Sequence, residues 1–267
     1  VELETFDRFA QMVYEISGIS LSEKKQALVT ARVGKRMRTL GIQDHREYLK
    51  RLESPGGEQE VILFLDAIST NVTSFFREAS HFDFVREMHA EWLASGQRRF
   101  RYWSAACSSG EEPYSLAMTL ADLVTGYDVD SRILATDICT EVLVKAQDGI
   151  YPIDRAESIP EEYFSRFLKV RSINGATSFE VKKHLRDQVV FRRLNLSRPP
   201  FPMTGPLDAV FCRNVMIYFD DAVRRTLLAE IKRVLKPGGF LITGHAESLN
   251  TLSDGLTLVR PSIYRKN

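Results

Sequence analysis

The strongest constraint on this chain is a change of periodicity along its length. Residues 1–70 carry apolar residues at helical spacing and no alternating run. From residue 100 onward, short apolar runs alternate with helical segments. Strands are expected over 100–106 and 133–136, from 189, over 207–212 and over 240–243. Helices are expected over 111–123, where Leu116, Leu120 and Leu123 recur, over 141–147, and over 222–235, where Val223, Leu227, Ile231 and Val234 share a face. Strands alternating with helices predict an α/β fold, a mostly parallel sheet with helices on both faces. In such sheets ligands sit beyond the carboxyl ends of the strands, where the strand order reverses.

The front end reads as a small bundle of four helices. Phe6, Phe9, Val13 and Ile16 recur at three and four, and Gly18 closes that helix. A second helix is expected from about Ser22 to Leu40 with Gly41 as its stop, a third over 44–52, and a fourth over 58–68. A Ser-Pro-Gly-Gly loop separates the last two. One later segment breaks the strand–helix alternation: a helix over 161–168, then Val170 to Ile173, Asn174-Gly175, and Ala176 to Val181. Asn-Gly between two β-prone runs is a strong hairpin signal, because both residues tolerate a positive φ. The expected domains are therefore a helical unit over 1–72 and an α/β unit over 73–267, with an inserted antiparallel hairpin subdomain at about 155–190.

The 267 residues are ample for a buried core, and 36 Lys plus Arg against 35 Asp plus Glu leave a net charge of +1. So balanced a chain has no overall attraction for nucleic acid or an anionic membrane. No apolar run approaches a spanning length, and the start Val-Glu-Leu-Glu does not resemble a signal peptide. Cys107, Cys139 and Cys212 form no closely spaced pair, so neither a disulfide framework nor a zinc site is expected, and a reducing cytoplasm fits.

Polar residues gather at the expected strand ends. After the first strand comes Cys107-Ser-Ser-Gly-Glu-Glu-Pro113, a small-residue turn feeding a helix. With a single glycine it lacks a dinucleotide fingerprint. Glu111 and Glu112 would repel a pyrophosphate but suit an ammonium or sulfonium group. Equally, they stand where a helix dipole favours acids whatever is bound. Asp137, closing the second strand, can accept both hydroxyls of a ribose or can cap the next helix. Asn195 follows the third strand and Arg213-Asn214 the fourth. Such ends converging on one cleft point to an adenosine-type ligand.

Four strings carry a resemblance: Asn71-Val-Thr-Ser-Phe-Phe-Arg77-Glu, Ser104-Ala-Ala-Cys-Ser-Ser-Gly-Glu-Glu-Pro-Tyr-Ser, Cys212-Arg-Asn-Val-Met-Ile-Tyr218-Phe-Asp, and Gly244-His-Ala-Glu247-Ser. With them the chain, over nearly its whole length, resembles the CheR-type chemotaxis receptor (protein-glutamate) O-methyltransferases. The resemblance implies a Rossmann-like class I methyltransferase sheet behind a helical docking domain, with S-adenosylmethionine as cofactor and S-adenosylhomocysteine as product. It implies cofactor contacts from Asn71, Thr73, Arg77, Glu111 (to the methionine ammonium), Asp137 (to the ribose), Asn195, Leu196, Arg213 and Asn214. Tyr218 is placed near the transferring methyl, though an aromatic at a strand end can also be simple packing. The implied substrate is a glutamate carboxylate on the cytoplasmic helical region of a transmembrane chemoreceptor. The resemblance also leaves room for a receptor C-terminal peptide as a partner at the inserted hairpin, whose loop sequence varies among relatives. No resident metal is expected. Cys107 stands where such proteins often carry alanine, which would add oxidation sensitivity. Two other readings remain open here, a methyltransferase for another acceptor and a non-catalytic adaptor that binds the cofactor.

From Lys24 to Gly41 there are six basic residues, Lys24, Lys25, Arg32, Lys35, Arg36 and Arg38, and no acid. Val29, Val33, Met37 and Leu40 share one face, Arg32, Lys35 and Arg38 lie opposite, and Arg36 flanks the apolar stripe. This is either a solvated face or a surface for an acidic partner. In the resembling family the corresponding helix is implicated in receptor docking, which makes Arg32, Lys35, Arg36 and Arg38 the expected docking residues.

Overall fold

The computed structural model describes residues 2–124, 128–173, 175–249 and 252–267. Its front end holds α1 (Leu3–Ser17), α2 (Gln26–Leu40), α3 (His45–Glu53) and α4 (Glu58–Ile68). Gly18, at φ 71°, ends α1 and donates its N–H to the Tyr14 carbonyl, a left-handed cap open to glycine at little cost. The second helix starts later than expected. Residues Glu23–Lys25 form a separate 3-10 turn, and the Ser22 side chain makes no cap hydrogen bond. The apolar stripes meet in one cluster, with Phe9 5.5 Å from Phe64 and 6.2 Å from Tyr48 between ring centroids.

Inside this cluster Glu60 is 7% exposed. It accepts two hydrogen bonds of 2.7 Å from Arg36 and one of 2.8 Å from the Tyr48 hydroxyl. Burial pushes the Glu60 carboxyl up, but the Arg36 and Tyr48 bonds outweigh it and hold the group below the usual carboxylate range.

The α/β unit begins with α5 (Ser80–Ala94), to which the periodicity assigned nothing. There follow β1 (Arg99–Ala105), α6 (Glu111–Leu123), β2 (Asp130–Asp137), α7 (Thr140–Asp148), β3 (Ile150–Pro152), α8 (Glu161–Phe167), β4 (Leu168–Ile173), β5 (Ala176–Val181) and α9 (Lys183–Arg186). The chain ends with β6 (Val189–Arg193), β7 (Leu207–Cys212), α10 (Asp221–Val234), β8 (Leu235–Thr243), β9 (Leu256–Arg260) and β10 (Ile263–Lys266). The seven-stranded sheet runs β6-β2-β1-β7-β8-β10-β9. Its first five strands are parallel and the closing β9–β10 hairpin is antiparallel. Only the first residue of β9 is buried, so that strand had no apolar alternation to betray it.

The chain winds outward from β1 through β2 to β6, then returns across β1 to β7 and β8. The order therefore reverses between β1 and β7, and the crevice at their carboxyl ends is the ligand position such sheets provide. The inserted unit is a three-stranded antiparallel sheet, β3-β5-β4. It begins at Ile150, earlier than expected, because β3 pairs with β5. Asn174 lies outside the described residues, and Gly175 has φ 78°. This sheet packs on the segment after α4, with Phe75 5.0 Å from Tyr151 and 5.7 Å from Phe179.

The two units are tied by polar contacts. Asp66 in α4 caps α7, accepting from the Thr140 N–H (3.0 Å), the Thr140 hydroxyl (2.6 Å) and the Glu141 N–H (3.3 Å). The Ser20 N–H donates to the Tyr218 carbonyl (2.9 Å), and Ile19 bridges Phe219.

Candidate active site

Three segments converge on the crevice: the linker over 69–79, the turn after β1, and the loop after β7. Their backbones are unusual. Phe76, Glu78, Ala106, Ser108 and Asn214 all have positive φ, between 49° and 64°, which costs free energy for residues with a Cβ and persists only where contacts enforce it. The first enforcing group is Asp137. One carboxylate oxygen accepts from the Ser108 N–H (2.8 Å), the other from the Cys139 N–H (2.9 Å). The carboxylate thus joins the turn after β1 to the loop after β2. Each oxygen keeps a further lone pair, the arrangement that receives two vicinal hydroxyls. Burial raises the Asp137 carboxyl above its ordinary range, against the pull of these amides. Gly110 completes the turn at φ 95°, where a Cβ would stand 2.8 Å from the Ala146 Cβ.

The second enforcing group is Arg213, 5% exposed. Its guanidinium donates to Glu112 (2.8 Å), to the carbonyl of Arg77, and pairs with Glu78 at 3.1 Å. One buried cation thus holds the linker, α6 and the loop after β7 together, with two carboxylates around it. Burial pushes Glu112 up, against the pull of Arg213 and Ser104. The third is Glu247, 3% exposed. It accepts from the N–H groups of Asn214 (2.6 Å), Gly244 (2.8 Å) and Ile217 (3.3 Å). A Cβ on Gly244 would collide with the Asn214 side-chain amide and crowd the Glu247 carboxylate, so a larger residue there would have to displace both.

Between these segments lies a cleft of about 1210 Å³ including its open mouth. Asn71, Thr73, Arg77, Asp137, Asn195, Leu196, Arg213, Asn214 and Tyr218 all line it. Glu111 is not among the described lining residues. It is buried behind the turn, where it accepts from the Ser109 hydroxyl at 2.7 Å, and its neighbour Glu112 forms the wall instead. Adjacent helical residues point about 100° apart, and motif spacing alone does not say which acid faces inward. The Asn195 carboxamide is engaged locally, donating to the Ile16 carbonyl (2.6 Å) and accepting from Ser197. It faces the cleft while bonding the helical unit. The groups that sequence reasoning left without a role are Glu78 and Glu247, while Glu112 takes the wall position that the resemblance gave to Glu111. Glu78 and Glu247 stand inside the quoted strings, which was their only signal.

The helical unit closes the mouth. Ile19, Leu21, Leu28 and Val29 line it, and the Lys25 ammonium sits 4.7 Å from the centroid of the Tyr218 ring, a cation–π distance. The basic helix α2 divides in two. Arg32 donates to the carbonyls of Ile68 (2.6 Å) and Ser69 (2.9 Å), and Arg36 is the Glu60 partner. Both guanidiniums are thus engaged within the helical unit and only partly exposed, whereas Lys35 and Arg38 are exposed. Cys107 is 1% exposed and burial pushes its thiol well up. A thiol so held forms little thiolate and resists oxidation, contrary to the sensitivity expected of it.

Comparison with known proteins covers nearly the whole chain. Residues 71–264 match the family described as CheR methyltransferase, SAM binding domain, and residues 4–69 match CheR methyltransferase, all-alpha domain. The Chemotaxis protein methyltransferase of Borreliella burgdorferi is 38% identical, covering 99% of this chain and 94% of that protein. Chemotaxis protein methyltransferase 2 of Pseudomonas aeruginosa is 39% identical, over 98% of this chain and 92% of its own. The Chemotaxis protein methyltransferase of Escherichia coli is 39% identical, over 97% and 89%. The chain belongs to the CheR methyltransferase family, an α/β methyltransferase sheet behind an all-helical domain, with S-adenosylmethionine as its cofactor.

Proposed function

We propose that this protein transfers a methyl group from S-adenosylmethionine to glutamate side chains on the cytoplasmic helical region of transmembrane chemoreceptors, forming methyl esters for adaptation. The observation that supports this is one cleft lined by the expected cofactor residues, Glu111 excepted, and by Tyr218, with the helical unit at its mouth. The cofactor supplies an electrophilic methyl on a sulfonium sulfur. Asp137 fits its ribose, with one free lone pair on each fixed oxygen, and Leu196 and Ile138 offer an apolar wall. The resemblance assigns the ammonium to Glu111, while Glu112 is the acid at the wall. Comparing cofactor affinity in Glu111→Gln and Glu112→Gln separates them.

A glutamate carboxylate has a reference pKa of about 4.3 and is ionised at neutral pH, so no general base is required. The work left to the protein is alignment and exclusion of water. Alignment of two reacting groups can supply about 7–11 kcal/mol of a barrier. Attack of a carboxylate on a sulfonium cancels two charges, which a dry site favours, and Ile19, Leu21, Leu28 and Val29 provide apolar cover. Tyr218 orients the substrate carboxylate through its hydroxyl. Lys35 and Arg38, exposed on α2, face an acidic receptor helix. The inserted sheet offers β4 as an edge, exposed from Lys169 to Ile173, suited to adding a receptor C-terminal peptide as a further strand. The proposed setting is the bacterial cytoplasm; no helix among the described residues is long and apolar enough to cross a membrane.

The test is incubation with methyl-labelled S-adenosylmethionine and receptor cytoplasmic fragments, reading label that mild base releases. Cofactor binding without transfer would favour the adaptor. Label that resists base would favour another acceptor.

A further inference from the structure

The turn that leads into α5 and the loop that follows β8 meet beside Arg213. There Glu78, His81 and His245 place a carboxylate oxygen and two imidazole nitrogens within 4.8 Å of one another. His81 is 1% exposed, yet neither of its ring nitrogens has a hydrogen-bond partner. Its Nδ1 lies 3.4 Å from Glu78 Oε2, without the alignment of a hydrogen bond. Buried polar atoms are nearly always satisfied, and an orphaned pair in one ring points to a partner that protein atoms do not supply. The His245 ring packs edge-on against His81, 4.8 Å between centroids, and the His245 backbone N–H donates to Glu78 (3.3 Å). Among the described residues no other group of three such side chains converges.

The neighbouring charge does not forbid a cation. Arg213 contributes one positive charge, but it stands between two carboxylates, Glu78 at 3.1 Å and Glu112 at 2.8 Å. The donor set then selects the ion. Two imidazoles and one carboxylate suit borderline first-row ions, whereas calcium and magnesium prefer sites made of oxygen. Three protein ligands with a fourth position for water is a common zinc arrangement. Bonds of about 2.0–2.1 Å need the three atoms drawn closer than they stand. His245, exposed on its loop, is the ligand free to move.

We infer that Glu78, His81 and His245 form a binding site for one divalent transition-metal ion of the Zn²⁺ type, joining the start of α5 to the loop that carries Glu247. None of the three lines the cleft, although Glu78 pairs with Arg213, which does; the inference does not rest on the proposed methyl transfer. The ion would bind the native chain and not the unfolded one, and would raise the melting temperature.

The experiment uses the full chain without a histidine tag. Calorimetric titration with ZnCl₂, run beside thermal melts, should show one site and a raised melting temperature. His245→Ala should weaken Zn²⁺ binding at least tenfold and abolish the rise. Co²⁺ should give d–d absorption in the native chain that is lost in His245→Ala. His81→Phe tests the buried ligand, and His245→Ala remains decisive should that variant fail to fold. No Zn²⁺ binding by the native chain, or equal affinity in His245→Ala, would overturn the site and leave only adventitious binding by other imidazoles such as His184.

Discussion

Asp137 offers the sharpest test of the cofactor site, because its carboxylate has two duties that separate experimentally. In the protein alone it accepts the Ser108 and Cys139 N–H groups at 2.8 and 2.9 Å. With the cofactor bound, it would also accept the ribose hydroxyls. Asp137→Ala removes both sets. Losing even one hydrogen bond to a charged acceptor costs about 1.5–3 kcal/mol, so S-adenosylmethionine affinity should fall at least roughly 10- to 150-fold at about 1.4 kcal/mol per factor of ten. The same substitution orphans two backbone donors, at about 1–3 kcal/mol for each that water fails to reach, so the melting temperature should drop as well. Asp137→Asn keeps one acceptor but turns a donor toward one of the amides, and should fall between Ala and the native chain in both measurements. The pH dependence has a defined sign. Burial raises the Asp137 carboxyl, whereas ribose hydroxyls donate best to the ionised form. Cofactor affinity should therefore decline as pH falls through that raised range. Calorimetry beside thermal melts reads all of this. Unchanged affinity in a folded Asp137→Ala protein would refute the ribose assignment.

Tyr218→Phe should slow methyl transfer under single-turnover conditions while leaving cofactor affinity nearly intact, the mark of a contact made in the transition state; unaffected turnover removes the orienting role. Lys35→Ala with Arg38→Ala should raise the receptor KM and flatten its salt dependence at unchanged melting temperature. Arg32→Ala should instead lower the melting temperature, since it frees the Ile68 and Ser69 carbonyls; equal behaviour of the two variants would refute this division of α2. Glu60→Ala strips the buried Tyr48 hydroxyl and the partly exposed Arg36 of their partner and should destabilise the helical unit by about 1–3 kcal/mol. The native Glu60 carboxyl lies below its unfolded value, so its contribution is present at neutral pH and lost as pH falls through the depressed value. Melts of native and variant protein should therefore converge in acid.

What the sequence determined by itself is what depends on neighbours along the chain. Phe6, Phe9 and Val13 mark α1 because one helix face returns every three to four residues, and Gly18 ends it because few other residues take its φ cheaply. Apolar runs such as Leu207–Cys212 mark buried parallel strands for a similarly local reason. The strings around Arg77, Gly110 and Asn214 meet at one cleft, since the backbone turns they encode are themselves local. Tertiary structure decided where side chains find partners across the chain. Arg32 and Arg38 look alike on a helical wheel, yet one holds the Ile68 carbonyl and the other meets solvent. Glu111 and Glu112 are adjacent, and only the packing of α6 turns Glu112 toward Arg213, a contact spanning 101 residues. β9 is exposed along nearly its whole length and exists because β10 pairs with it, a long-range hydrogen-bond ladder that leaves no apolar period to read. Glu247, His81 and His245 acquire meaning in the same way, because burial and the scarcity of partners inside a fold, which no local pattern records, determine what a polar group does.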